Sequence, residues 1–376
     1  MVSHWVRTTP ELETFVERLR ACPEIAVDTE GDSLHHYPER LSLIQIGEPS
    51  GTAWLVDPLA IADLSPLAPL FAAGRPRVVL HAGDNDLVHL KRRYRFTFGA
   101  IFDTSLAARF LGTKSLGLDV LIRDHLGIEL PPSRQKDDWS SRPLTEAQEQ
   151  YAAADVQHLM PLADRLRDEL ARIGRLAWVE EECAALAAEP PTERVVDPDA
   201  YLGLKGAREL PLSGLAILRE LFEARDQIAR AADRPPFKVL SDATLVALAQ
   251  TAPGDLEALA AVPGCTPRVI GRWGAAILAA VARGRDVPEE RLPVLARTPR
   301  PPVPGAIRRR IEALRQWRVE AAPRFGLDPG LLLPNRLIRA IAEAGPRDLE
   351  AVVRVEGLRR WRADVLGPEL VRAVVG

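Results

Sequence analysis

Residues Ile25-Ala-Val-Asp28-Thr-Glu30 form an apolar run that ends in two carboxylates. The apolar residues predict a short buried strand. In a strand, residues i and i+2 point to the same face of the sheet. We therefore expect Asp28 and Glu30 to emerge side by side at the end of this strand.

Two further acidic blocks lie along the chain. The second is an apolar strand followed by two acids, Val78-Val-Leu-His81-Ala-Gly-Asp84-Asn-Asp86-Leu87, and the third is a helix-forming stretch, Tyr151-Ala-Ala-Ala-Asp155. Residues four apart share one face of a helix, so Tyr151 and Asp155 are expected to project together. The functional hypothesis depends on the order of the three blocks, with the strand pair first and the helix pair last.

Three or four carboxylates gathered at one point repel each other, and proteins tolerate this when divalent cations neutralise them. Ligands that are all oxygen atoms favour Mg²⁺ or Mn²⁺ over zinc. Two such ions about 3.5–4 Å apart hold the attacking and leaving oxygens of a phosphodiester displacement. The sequence thus predicts a two-metal nuclease, with either Asp84 or Asp86 as the acid of the second block.

Each block alone also has an ordinary structural interpretation. Asp28 and Glu30 fit a solvated strand end, and the Tyr-x-x-x-Asp pair of the third block fits a surface or partly buried helix. Asp84 fits the N-cap of the helix that follows it, because Asp is among the preferred N-cap residues. Only the combination of the three blocks in this order favours the nuclease.

The three blocks, in this order, resemble the exonuclease motifs of the DEDD superfamily, and their surroundings resemble the ribonuclease D family. The resemblance covers nearly all of residues 1–170. The segments that carry it are 27–30, 41–46, 56–59, 81–87, 103–104, 138–139, 142–145 and 150–156.

The resemblance also chooses between the two acids of the second block. In the family motif the acidic ligand is the one followed by Leu, which selects Asp86 over Asp84. Tyr151, four residues before Asp155, is similar to the tyrosine subclass. The histidine subclass places a His five residues before that Asp, where this chain has Gln150.

The resemblance implies a ribonuclease H-like mixed-sheet fold and a 3′–5′ exoribonuclease that releases nucleoside 5′-monophosphates. The implied ligands of two Mg²⁺ or Mn²⁺ ions are Asp28, Glu30, Asp86 and Asp155. Tyr151 would orient the attacking water through its hydroxyl. The implied substrates are transfer RNA precursors and other structured RNAs with single-stranded 3′ tails. Gly31 departs from the family, which often has an aromatic residue there, so stacking on the terminal base does not carry over.

Two other functions fit parts of the pattern. A 3′–5′ DNA exonuclease in repair is the alternative, because the same metal chemistry cuts either polymer. Discrimination would rest on contacts to the 2′-hydroxyl, which the sequence does not show. A non-catalytic RNA-binding scaffold would need a broken carboxylate set, and all four acids are present.

The N-terminal part of the chain alternates short apolar strands with helices. Strands are predicted at 24–29, 41–47, 52–56, 77–81 and 100–102. Short connections predict an antiparallel meander for the first three. Helical crossovers at 64–73 and 84–93 predict parallel pairing for the later strands. One amphipathic helix over 151–170 is expected to carry the third block.

Proline-dense stretches and an internal repeat divide the chain into five parts. A shift of 93 residues aligns Asp255-Leu-Glu-Ala258 with Asp348-Leu-Glu-Ala351, which indicates duplicated helical modules. The first copy resembles the helicase-and-RNase-D C-terminal (HRDC) domain, and the second is more divergent. The predicted parts are an exonuclease domain at 1–175, a linker at 176–202, an HRDC domain at 203–285, a proline-rich linker at 286–305 and an HRDC-like helical domain at 306–376.

Charge is unevenly distributed along the chain. Residues 1–175 carry 20 Lys and Arg against 25 Asp and Glu, residues 176–202 carry 1 against 7, and residues 300–376 carry 15 against 9. A basic surface attracts polyanions, so the last segment is predicted to bind RNA, held at a distance by the proline-rich connector. A solvated helical surface is the alternative interpretation.

The compartment follows from features that the sequence lacks. It has no signal-peptide pattern and no run of 18 apolar residues, which predicts a cytoplasmic protein without a membrane segment. Cys22, Cys183 and Cys265 are isolated and form no metal motif. The seven histidines show no ligand spacing. The oligomeric state stays open.

Overall fold

The computed structural model describes residues 3–191, 197–294 and 302–375. Within these residues the N-terminal part is built on one six-stranded sheet. Its strands are β1 Ser3–Val6, β2 Glu24–Gly31, β3 Leu41–Gly47, β4 Ala53–Val56, β5 Arg77–Leu80 and β6 Ile101–Asp103. Their order across the sheet is β1-β4-β3-β2-β5-β6.

The strand pairing confirms the predicted mixed sheet. β2, β3 and β4 form an antiparallel meander, whereas β5 pairs parallel with β2 and β6 parallel with β5. β1, which pairs parallel with β4, lies outside the predicted strands. Its four residues, Ser-His-Trp-Val, are too few to show a strand period.

Helices flank both faces of this sheet. They are α1 Thr9–Leu19, α2 Ala68–Ala72, α3 Asp84–Tyr94, α4 Thr104–Phe110, α5 Leu118–Leu126, α6 Glu146–Gln157, α7 Leu159–Arg172 and α8 Leu176–Ala188. The single helix predicted over 151–170 is wrong, because the chain breaks at His158. Pro161 explains the break, since proline has no N–H to donate and is tolerated in the first turn of a new helix.

The linker predicted at 176–202 is wrong over its first half. Residues 176–188 form α8, whose Val179, Cys183 and Ala187 are buried in the core of the N-terminal part. Residues 192–196 of this predicted linker, and residues 295–301 of the proline-rich linker, lie outside the described residues.

Two helical domains follow, with the same order of five helices. The first helical domain, residues 197–294, contains α9 Leu212–Ala231, α10 Pro236–Val239, α11 Asp242–Thr251, α12 Leu256–Ala260 and α13 Pro267–Arg285. The second, residues 302–375, contains α14 Gly305–Phe325, α15 Pro329–Leu332, α16 Asn335–Ala344, α17 Leu349–Val353 and α18 Arg360–Val375.

The contacts inside the two helical domains repeat at the same offset as the sequence. Asp255 caps α12 by accepting from the third residue of that helix at 2.8 Å, and Asp348 caps α17 in the same way at 2.8 Å. Arg225 donates to the carbonyl of Leu240 at 3.1 Å, and Arg318 donates to that of Leu333 at 2.9 Å. The two domains are therefore copies of one helical unit.

The second helical domain packs directly on the sheet domain, so the expectation of a module held at a distance is wrong. Buried apolar side chains of both form one continuous core. Trp361 of α18 stacks on Trp178 of α8, with ring centroids 4.7 Å apart, and meets the edge of Phe110 at 5.5 Å. Glu181 of α8 accepts from the backbone N–H of Arg360 at 2.6 Å.

The first helical domain has its own core and meets the sheet domain through the loop between β2 and β3. The backbone N–H of Tyr37 in this loop donates to Asp233 at 3.1 Å, and the Tyr37 hydroxyl donates to Asp226. His36 lies between two carboxylates, 2.7 Å from Asp233 and 3.4 Å from Asp138. The β2–β3 loop, which directly follows the strand that carries Asp28 and Glu30, thus connects the first helical domain to the sheet domain.

Candidate active site

Asp28 and Glu30 lie where the sequence predicts, in the C-terminal half of β2. Asp28 pairs across the sheet with Gln45 of β3, and Glu30 pairs with Leu43. The strand register shifts between Glu30 and Gly31, so the regular pairing ends directly after the second acid. Asp28 and Glu30 are half-buried and share the face of the sheet that α6 covers.

Helix α6 brings the third block against this strand. A capping box formed by Thr145 and Gln148 fixes its first turn. Gly47 allows the C-terminal end of α6 to lie close to β3, because a Cβ at this glycine would be 2.7 Å from the carbonyl oxygen of Val156. Any larger residue at position 47 would push α6 off the sheet and move Asp155 away from β2.

Three of the predicted ligands converge. Asp28, Glu30 and Asp155 each offer a carboxylate oxygen, and these oxygens lie within 4.8 Å of one another. Burial and the charges of its neighbours raise the pKa of Asp28 well above its ordinary range. Burial together with the charge of Asp155 raises the pKa of Glu30 to about 9, and burial raises that of Asp155 to about 7.

These carboxylates fit a divalent metal. The donor atoms are all oxygen, three groups converge on one point, and their raised pKa values express mutual repulsion and desolvation that a cation would relieve. Among the described residues, the group that converges here consists of carboxylates alone, which favours Mg²⁺ or Mn²⁺ over zinc.

Asp86 lies beside this triplet rather than within it. It is carried by the first turn of α3, and its carboxylate accepts a hydrogen bond from the Thr29 hydroxyl, between the two acids of β2. Among the charges that raise the pKa of Asp28, that of Asp86 is the largest. Asp86 and Thr29 also line one cavity of about 260 Å³ together with Gly31.

Asp84 faces another part of the molecule, and the expectation that it caps α3 is wrong. Gly83 is the N-cap, with no side-chain cap bond, and Asp84 is already the first helical residue. Asp84 lines a cavity of about 210 Å³ with Asp103 and Arg109, away from Thr29. The turn before α3 is fixed instead by Asp103, which accepts from the backbone N–H of Gly83 at 2.8 Å.

Tyr151 is 8% exposed and packs against the fully buried ring of Trp139, with centroids 6.0 Å apart. Trp139 is therefore a core residue. Tyr151 lies four residues before Asp155 on α6, so the two side chains share one face of the helix. Burial and the nearby carboxylates raise the pKa of Tyr151 above its ordinary value. The phenol stays protonated at neutral pH and can orient a water, but it is not a base.

Sequence analysis assigned no role to three residues that lie at this site, Thr29, Gln45 and Gly47. Thr29 lies between the candidate acids Asp28 and Glu30, but its position in the sequence does not indicate that it bonds to Asp86 on α3. Gly47 and Gln45 lie in a strand that was correctly predicted. Their importance comes from the helix that packs on it, which no local pattern shows.

The family comparisons agree with this geometry. Residues 3–171 match the model of a 3′–5′ exonuclease, and residues 214–281 and 308–374 match that of the HRDC domain. Ribonuclease D of Pseudomonas paraeruginosa is 33% identical over 380 residues, covering 98% of this chain and 97% of the relative. Ribonuclease D of Escherichia coli is 33% identical over 290 residues, covering 77% of this chain and 76% of the relative.

A solved structure is similar over the whole chain. The crystal structure of Escherichia coli RNase D, described as an exoribonuclease involved in structured RNA processing, has a TM-score of 0.71 and 27% identity. The match covers 100% of this chain and 99% of that one.

The fold and the acidic site define a 3′–5′ exonuclease domain followed by two HRDC domains. The chain belongs to the ribonuclease D family. Its activity is that of a 3′–5′ exoribonuclease, its exonuclease domain is of a kind that uses divalent metal, and its HRDC domains indicate nucleic-acid binding. Among the described helices, none has the length and apolar character needed to cross a membrane.

Proposed function

We propose that this exoribonuclease shortens the 3′ ends of transfer RNA precursors and other structured RNAs with single-stranded 3′ tails. The observation that carries the proposal is the convergence of carboxylate oxygens of Asp28, Glu30 and Asp155 within 4.8 Å, with Tyr151 on the same helix as Asp155. The full-length similarity to a relative described as processing structured RNA supports the substrate class.

The proposed ligands of two Mg²⁺ or Mn²⁺ ions are Asp28, Glu30, Asp86 and Asp155. When bound, the ions supply an activated water and stabilise the leaving 3′ oxygen. Thr29 holds the Asp86 carboxylate toward β2 through its hydroxyl. Tyr151, held by packing on Trp139 and carried on the same helix as Asp155, orients the attacking water. The product of each cycle is a nucleoside 5′-monophosphate.

We also propose revised domain limits. The exonuclease unit extends to Ala188, because α8 buries Val179 and Cys183 in the same core as the sheet. The two HRDC domains correspond to the described residues 197–294 and 302–375. This division keeps α8 with the domain on which it packs.

The test is digestion of one RNA and one DNA of the same sequence, each with a duplex stem and a single-stranded 3′ tail, in Mg²⁺, Mn²⁺ or chelator. We expect stepwise release of nucleoside 5′-monophosphates from the RNA tail, stopping near the stem, and no release in chelator. Asp28→Asn should abolish release, whereas Asp84→Asn, which alters a carboxylate outside the site, should not. Faster cleavage of the DNA would favour the repair exonuclease instead.

A further inference from the structure

Gln45 is a polar residue among the buried apolar side chains of β3. It lies in the middle of β3, is completely buried, and neither its amide oxygen nor its amide nitrogen has a hydrogen-bond partner among the described residues. A buried amide without partners destabilises a fold, and an apolar side chain of the same size would avoid that cost. Gln45 thus lacks a partner that would account for an amide at this position.

The strand register shows where that partner lies. Gln45 is directly opposite Asp28 of β2 and, on its other side, opposite Leu55 of β4. Directly opposed residues share a face of the sheet, with Cβ atoms about 4.5–5.5 Å apart. Leu43 and Leu55 on this face belong to an apolar cluster with Ala152 of α6. Asp28 is therefore the polar neighbour that the register offers to the amide.

We propose that Gln45 is a positioning residue for the metal site. Its amide N–H groups, which have no direct partner among the described residues, reach the Asp28 carboxylate through one buried water and hold that carboxylate in the orientation in which it binds a cation. The inference rests on the proposed metal site and adds to it a residue that touches neither RNA nor metal.

The chemistry of Asp28 explains why a donor is needed there. A carboxylate oxygen of Asp28 lies within 4.8 Å of carboxylate oxygens of Glu30 and Asp155, so its charged form is repelled by its neighbours. A hydrogen-bond donor favours the charged form of a carboxylate, which is the form that binds a cation. A neutral amide does so without adding another charge to a crowded site. Outer partners of this kind commonly change metal affinity by about 10–100-fold when they are removed.

The experiment measures Mn²⁺ binding to the full chain by isothermal titration calorimetry, without RNA. Gln45→Met keeps the length of the side chain and removes its donors. Leu43→Met is the matched control, because it places the same side chain at a buried position on the same face of β3. We expect the Kd for Mn²⁺ to rise about 10–100-fold in Gln45→Met and to stay unchanged in Leu43→Met.

Thermal unfolding of the metal-free variants separates this role from a packing defect. Gln45→Met should melt close to the wild-type temperature, because it replaces a buried amide that has no direct protein partner with an apolar side chain of the same length. Gln45→Leu, which also lacks donors but has a different shape, should weaken Mn²⁺ binding to a similar extent, and it replaces Gln45→Met if that variant does not fold.

Two failures are distinguishable. Wild-type Mn²⁺ affinity in the folded Gln45 variants would overturn the role of Gln45 and leave the metal site intact. Absence of Mn²⁺ binding by the wild type, or unchanged binding by Asp28→Asn, would refute the metal site itself and the role of Gln45 with it.

Discussion

Trp361→Ala should loosen the contact between the catalytic domain and the second helical domain. Trp361 is 4% exposed, stacks on Trp178 at 4.7 Å and meets the edge of Phe110 at 5.5 Å. Truncation of a buried aromatic residue to alanine costs about 3–5 kcal/mol. Since a domain is stabilised by about 5–15 kcal/mol in total, this one substitution removes a large share of the local stability.

Hydrogen exchange followed by mass spectrometry measures this loss over α8, which carries Trp178. If α8 opens when the second helical domain separates from it, a loss of about 3–5 kcal/mol speeds its exchange roughly 100- to 4,000-fold, because each 1.4 kcal/mol is a factor of ten. Exchange in α9, which belongs to the first helical domain, serves as the internal reference and should not change.

The control is Val353→Ala, at a position 60% exposed on α17 of the same domain, which should alter stability by no more than about 0.5 kcal/mol. Equal exchange of α8 in the two variants would refute the packed arrangement and favour a module on a flexible connector. For the same reason, a chain ending near Gly284 is expected to expose Trp178 and Phe110 and to lose stability, rather than to behave as an intact catalytic domain.

Three further predictions concern the site and the domain contact. Asp86→Asn should slow single-turnover cleavage by several orders of magnitude and Asp84→Asn should not, and the reverse pattern would show that the second block is wrongly assigned. Tyr151→Phe should slow cleavage by about 10²–10⁴-fold with Mn²⁺ affinity unchanged in calorimetry; an unchanged rate would make this tyrosine structural. Burial lowers the pKa of His36, but its contacts with Asp233 and Asp138 together outweigh burial and the pKa is raised overall. The protonated ring therefore stabilises the domain contact at pH below about 6.5, and this contribution is lost as pH rises through the raised pKa. Asp233→Asn should therefore lower the pKa that NMR measures for the His36 ring, and an unaltered titration would contradict the contact.

Local patterns were sufficient to predict the elements that carry the acids. The apolar run before Asp28 gave β2, and the i, i+4 pair of Tyr151 and Asp155 gave a helix with both on one side. Their convergence could not come from periodicity alone, because it depends on α6 lying against β3 at Gly47. The resemblance to the family motifs predicted this convergence, which the structure then showed.

Domain docking is where the sequence interpretation failed. Helix α8 was included in the linker predicted at 176–202, although the proline-dense part of that stretch begins only at Pro190. Its buried positions, Val179, Cys183 and Ala187, nevertheless recur every four residues, which is the period of a helix packed on one side. This period alone does not show what the helix packs on, and the sequence gives no partner for its three acids, Glu180-Glu-Glu182.

The structure identifies that partner, and with it the reason for the uneven charge. Glu182 pairs with Arg362, which is 3% exposed, and with Arg359 at 3.4 Å, while Glu181 accepts from the backbone of α18. Net charge counts such arginines as if they were available to RNA, although a buried pair presents no charge to solvent. The acidic excess of α8 and the basic excess of the second helical domain are thus, in part, two halves of one interface.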